Sequence, residues 1–165
     1  AEGTPDLFRF GIEFDLPDSY SDIEFYGRGP WENYPDRKSS ALLGIYHQTV
    51  SEQYYPYVRP QETGTKTDVR WWKLTDKEGH GYLIEAPLPF MASALHYTIE
   101  SMDDGDDKND YQSHGSLVPV AEATILHIDG YQQGVGGIDS WKSYPLTKYM
   151  LPAGEYEFEC IITPL

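Results

Sequence analysis

Two stretches of this chain carry residue types that could do chemistry. The first runs Asp129-Gly130-Tyr131-Gln132-Gln133-Gly134-Val135-Gly136-Gly137-Ile138-Asp139-Ser140-Trp141. Gly134, Gly136 and Gly137 crowd into four positions, so the backbone there needs positive φ, close approach, or both. Asp129 and Asp139 flank the glycines, Ser140 can cap the turn through its hydroxyl, and Trp141 follows at once. A large flat ring on a tight loop is costly surface decoration; it suits a platform on which a ligand stacks. The competing reading makes Trp141 ordinary core, since tryptophan is highly buried on average. The second stretch is Gly27-Arg28-Gly29-Pro30-Trp31-Glu32-Asn33-Tyr34-Pro35-Asp36-Arg37. Glu32 and Asp36 stand four apart in a Gly/Pro-rich loop and could converge as a carboxyl pair for acid–base work. Beside Arg37, and with Asn33, they equally suit a hydrogen-bonded lock, because a carboxylate paired with a guanidinium holds a coil rigid.

Other reactive residue types are dispersed. His47, His80, His96, His114 and His127 have no metal-ligand spacing among them. The run Asp103-Asp104-Gly105-Asp106-Asp107-Lys108-Asn109-Asp110 lacks the glycine and terminal glutamate of a calcium loop and reads as an acidic solvated segment. Cys160, the single cysteine, excludes an internal disulfide and reads as a small apolar residue in a strand pattern. Aromatic residues make up 15% of the chain, with Tyr54, Tyr55, Tyr57, Trp71 and Trp72 close in sequence. Such rings serve a core, an interface or a sugar platform.

The elements that must position these residues are strands. Phe8, Phe10, Ile12, Phe14 and Leu16 alternate with polar or small residues, and Tyr156, Phe158, Cys160 and Ile162 do so at the other end. Period-two alternation marks half-buried strands. Residues 23–26, 41–50, 69–74, 81–86, 95–100 and 121–128 are further strand candidates, separated by turn residues at 17–18, 76–79 and 152–154. Residues 116–122 come nearest to a helix, and Pro119 interrupts them. The expected fold is therefore an all-β antiparallel sandwich in one domain of 165 residues. A net charge of −15 argues against nucleic acid or an anionic membrane as partner.

Three further motifs complete a set. Tyr55-Pro56-Tyr57-Val58-Arg59-Pro60-Gln61-Glu62-Thr63-Gly64, Thr67-Asp68-Val69-Arg70-Trp71 and Ser93-Ala94-Leu95-His96-Tyr97 lie in order between the first two. Together the five motifs resemble the C-terminal region of the lacZ-like bacterial β-galactosidases, glycoside hydrolase family 2. The resemblance implies the C-terminal part of a larger domain, a supersandwich of galactose-mutarotase type. It implies a parent enzyme that hydrolyses terminal β-galactosyl bonds with retention, through catalytic glutamates in an upstream barrel. Retention calls for two carboxyls about 5–5.5 Å apart; with that pair upstream, this chain holds no catalytic residue and is inactive alone. Glu32, Asn33, Asp36 and Arg37 are then the structural lock, and Arg37→Ala is expected to cost roughly 1–3 kcal/mol. Trp141 is the sugar contact, on a loop shaped by Asp129, Gly134, Gly136, Gly137, Asp139 and Ser140. The family's magnesium and sodium sit in the barrel, so neither a metal nor another cofactor is expected here. An epimerase role for His96 and His114, as in the mutarotase fold, is the weaker implication. Expected partners are the upstream domains, the galactoside and further copies in a homo-oligomer. The rival readings are a stand-alone carbohydrate-binding module and a purely structural sandwich.

Overall fold

The computed structural model describes residues 5–103, 114, 117–136 and 143–165. Alternating apolar residues fold as strands: β1 (Arg9–Pro17), β2 (Asp22–Gly29), β3 (Leu42–Thr49), β4 (Lys66–Thr75), β5 (Gly81–Leu95), β6 (Ala123–Gln132) and β7 (Ile161–Pro164). They form a seven-stranded sheet ordered β1-β6-β5-β4-β2-β3, with β7 beside β5. Every pairing is antiparallel. The chain is all-β with almost no helix, as a β-sandwich-like domain requires. Among the described residues no helix is long and apolar enough to cross a membrane.

The core follows from the registers. Phe25 of β2 faces Trp72 of β4, and their rings stack 5.1 Å apart. Ile84, Phe90, Ala92, Leu126 and Ile128 continue the same buried cluster across β5 and β6. Trp71, next to Trp72, is only half-buried, as neighbouring strand residues face opposite ways. β5 changes partners along its length. Residues Tyr82–Glu85 pair with β7 and Met91–Leu95 with β6. Pro87 and Pro89 fall between these two runs, where no N–H is asked of them. Along its other edge β5 keeps β4 as its neighbour, from Gly81 to Ala92.

Two expected strands fold otherwise. Residues 95–100 are not one strand: Leu95 ends β5, and Ile99–Met102 forms a single helical turn, α1. Thr98 decides this, since its Oγ1 accepts the Ser101 N–H at 3.0 Å as an N-cap. Near the C-terminus the alternation is real, yet pairing begins only at Ile161. Phe158 and Cys160 instead pack against the core. Both sheet edges carry exposed apolar side chains: Phe8, Phe10 and Ile12 at or beside β1, Leu42 and Ile45 on β3.

Candidate functional site

The motif at Gly27–Arg37 runs on from the end of β2, and each side chain of the expected lock finds a partner there. Asn33 is almost wholly buried. Its Nδ2 donates to the carbonyls of Arg28 (2.9 Å) and Trp31 (3.0 Å), and its Oδ1 accepts the Thr67 N–H (3.1 Å) and hydroxyl (2.5 Å). Glu32 accepts from the Tyr57 hydroxyl, from Thr63 Oγ1 at 2.8 Å and from the Gly64 N–H at 2.8 Å. It thereby ties the second motif to the first. Asp36 reaches a third. Its two carboxylate oxygens accept the N–H groups of Val135 (3.1 Å) and Gly136 (3.0 Å). Arg37 Nη2 donates to the Gly136 carbonyl at 2.7 Å.

Glu32 and Asp36 therefore face different partners, and nothing in their contacts makes them a reacting pair. The Arg37 side chain is exposed rather than buried. The expected 1–3 kcal/mol for Arg37→Ala rested on a buried charge. With solvent able to replace the lost bond, the cost falls below about 1 kcal/mol.

Gly134 and Gly136 are explained by contact. A Cβ at Gly134 would lie 2.6 Å from the Asp36 Cγ, so the carboxylate reaches the loop only over a bare Cα. Gly136 has φ of +96° and packs against the Ser143 carbonyl. Gly136 and Ser143 thus meet. Gly137, Asp139, Ser140 and Trp141 lie outside the described residues, as do the acidic residues 104–110.

Asp129 sits within β6, well before the glycine turn, and it is buried. Arg9 of β1 donates to it through Nε at 3.1 Å and lies 2.9 Å away through Nη2. Burial pushes the Asp129 carboxyl up to about 6 against the pull of Arg9. Arg9 also lies 3.7 Å from Glu62, whose own pKa is raised by burial. Sequence reasoning missed this bridge, although Glu62 lies in a motif it had marked. It missed Lys66 altogether. That lysine is buried and donates to Gln53 Oε1 (2.6 Å) and the Gly64 carbonyl (2.9 Å). Burial lowers its pKa to about 7, opposed by the Glu32 charge. The Thr67–Trp71 stretch holds a charge cluster of its own: Asp68, at φ of 53°, lies between Arg28 Nε (2.5 Å) and Lys38 Nζ (3.0 Å).

The histidines do not gather. His96 Nδ1 donates to the Ala123 carbonyl at 3.1 Å, and His80 belongs to the Asp76 turn. Among the described residues no three His, Cys, Asp or Glu side chains are placed to hold a metal. His127 is buried with Nδ1 3.4 Å from Glu13. Burial first, and then the Arg9 charge, lower its pKa to about 3, so the Glu13 contact is a polar one to a neutral ring. Between pH 6.5 and about 3 the unfolded chain binds a proton there that the folded chain does not. Stability therefore falls as pH drops through this window, by up to about 1.4 kcal/mol per unit. His127→Gln should flatten that part of the profile in urea denaturation; parallel profiles for the two proteins would exclude this.

What the arrangement can do is hold loops. Three sequence-distant motifs are bonded through one turn, and carbonyl, amide and carboxylate groups are matched across it. Other proteins are similar to this chain over nearly its whole length. The family model described as "Beta galactosidase small chain" matches residues 1–162. A "Beta-galactosidase" of Priestia megaterium is 36% identical over 153 residues, 93% of this chain and 14% of that protein. "Beta-galactosidase BgaC" of Bifidobacterium adolescentis is 38% identical over 154 residues, 92% of this chain and again 14% of that protein. A "Beta-galactosidase" of Lactobacillus delbrueckii subsp. bulgaricus is 34% identical over 160 residues, covering 96% and 15%. This chain thus spans about one seventh of the length of these relatives. Matched over nearly its whole length, the chain belongs to the β-galactosidase small-chain family.

Proposed function

We propose that this chain is the C-terminal portion of a lacZ-like retaining β-galactosidase of glycoside hydrolase family 2, which hydrolyses terminal β-D-galactosyl bonds. Its share is structural support and one wall of the sugar pocket, contributed by the loop that ends at Trp141. The catalytic glutamates, and the magnesium and sodium, belong to an upstream barrel. The upstream domains, the galactoside and further copies of the whole protein in a homo-oligomer are its partners.

The observation that carries this reading is the pair of hydrogen bonds that Asp36 accepts from the backbone N–H groups of Val135 and Gly136. Fixed geometry in a loop, supported by side chains from elsewhere in the fold, is what binding sites require. A ring on that loop can stack on the apolar face of a sugar with little entropy to lose. Relatives named β-galactosidase at 34–38% identity support the reaction class.

In the full-length enzyme, Trp141→Ala should raise KM about tenfold, the loss of about 1.4 kcal/mol of stacking. Turnover of an activated aryl galactoside should change less, and Trp141→Phe should keep part of the affinity. An unchanged KM would remove the sugar contact from this chain. The isolated chain should neither turn over a chromogenic β-galactoside nor bind galactose measurably. Galactose binding by the chain alone would replace this reading with a stand-alone carbohydrate-binding module.

A further inference from the structure

We infer that the outer edge of β3 is the surface through which two copies of this protein pair, antiparallel and across a two-fold axis. This rests on the homo-oligomer proposed above and names the surface that makes it. Among the described residues β3 closes one end of the sheet and β1 the other. An open edge presents unpaired N–H and C=O groups, and proteins guard it with charge, proline or a bulge. β1 has all three. Arg9, Glu13 and Asp15 lie along it, its register shifts between Phe10 and Gly11, and Pro17 ends it. Its exposed Phe10 also meets the rings of Tyr131 at 6.4 Å and Tyr156 at 5.7 Å. β3 has none of these guards. Residues 39–51 hold no Asp, Glu, Lys, Arg or Pro, and β3 pairs with β2 from Leu42 to Thr49 without a shift.

The side chains along this unguarded edge are apolar and exposed: Leu42 by 72%, Leu43 by 44% and Ile45 by 59%. Ile45 stands opposite Tyr26 of β2, and Tyr26 opposite Trp71 of β4, so a cross-strand row of apolar groups runs inward from the edge on one face. Charge selects the occupant. With a net charge of −15, two copies repel wherever acidic surface meets acidic surface. Residues 22–75, which contain β2, β3 and β4, hold seven acids and seven bases, and the remainder carries the whole −15. Pairing through β3 sets charge-balanced strands against each other. A basic partner would gain nothing from a strand without charge, whereas a two-fold contact sets the same apolar patch against itself. The guarded β1 edge then keeps the sheet from growing further, so this contact closes at two copies.

The test is sedimentation of the full-length protein, wild type and three variants. Ile45→Lys and Leu43→Lys each place a cation on exposed β3, and the two-fold axis brings it near its own copy. Either should halve the mass of the assembly and raise the dissociation constant about a hundredfold. Ile12→Lys makes the same change on β1, where Ile12 is 42% exposed, and should leave the mass unchanged. A wild-type protein that stays monomeric at every concentration would overturn the homo-oligomer and this inference together. An assembly whose mass neither β3 substitution changes would overturn the inference and leave the homo-oligomer standing. Splitting by Ile12→Lys as well would also overturn it, since added charge and not the edge would then decide. Melting temperatures cover the remaining case: if both β3 variants fail to fold, a strand of the same polypeptide covers β3 and the pairing is overturned.

Discussion

Replacing Asn33 with alanine is expected to lower the stability of the chain by about 3–5 kcal/mol, one of the two largest effects in the molecule. The side chain saturates four groups at once: the carbonyls of Arg28 and Trp31, and the N–H and hydroxyl of Thr67. Thr67 is itself buried, so water cannot restore what is lost. Each stranded buried group costs about 1–3 kcal/mol, and sharing a site makes the sum less than additive. Asn33→Asp is the informative control. It keeps the volume and the acceptor oxygen, but it turns a carboxylate oxygen toward two carbonyls and buries charge. It should be at least as damaging as alanine. For a chain of this size the melting temperature should fall by roughly 10 °C. A fall of under about 2 °C for both variants would show that the first motif is not what holds β2 to β4.

Glu32→Ala is expected to cost about 3 kcal/mol at neutral pH, and the penalty should depend on pH in a particular direction. Removal strands the Thr63 hydroxyl and the Gly64 N–H, and frees Tyr57 from its partner. It also withdraws the carboxylate whose charge supports the buried Lys66 ammonium. Lys66 already titrates at about 7 when folded and near 10.5 when unfolded. Between those values the unfolded chain binds more protons, so the lysine's burden on stability is full below pH 7 and is relieved as pH rises. Without Glu32 the folded pKa moves lower still, and the variant should lose most at pH 6 and recover part of the difference by pH 9. Urea midpoints across that range check it. Glu32→Gln, which keeps an acceptor, should cost roughly half as much. In the full-length enzyme its turnover should track its stability. Loss of turnover in a Glu32→Gln protein of unchanged stability would make Glu32 a reacting carboxyl.

The sequence by itself determined the fold class and the membership. Alternation along Phe8–Leu16 called for a strand, because the side-chain period of a strand is two, although only Phe14 and Leu16 of that face pack against the core while Phe8, Phe10 and Ile12 stay exposed. Motif order placed the chain in its family, since family likeness is written in residue types and spacing. The kinds of residue in the lock were also legible: a carboxylate beside a guanidinium in a Gly/Pro loop has few other stable uses. What they lock was not. Asp36 and the Val135 N–H are 99 residues apart, and only the sheet, in which β4 and β5 lie between β2 and β6, brings the segments that follow those strands together. Burial of Lys66 was equally invisible, because its acceptors come from Gln53 and Gly64 and nothing in Thr65-Lys66-Thr67 announces them. Local pattern decides which way a side chain points within its strand. Which groups it meets there depends on pairings between distant segments, and that information exists only once the sheet has closed around them.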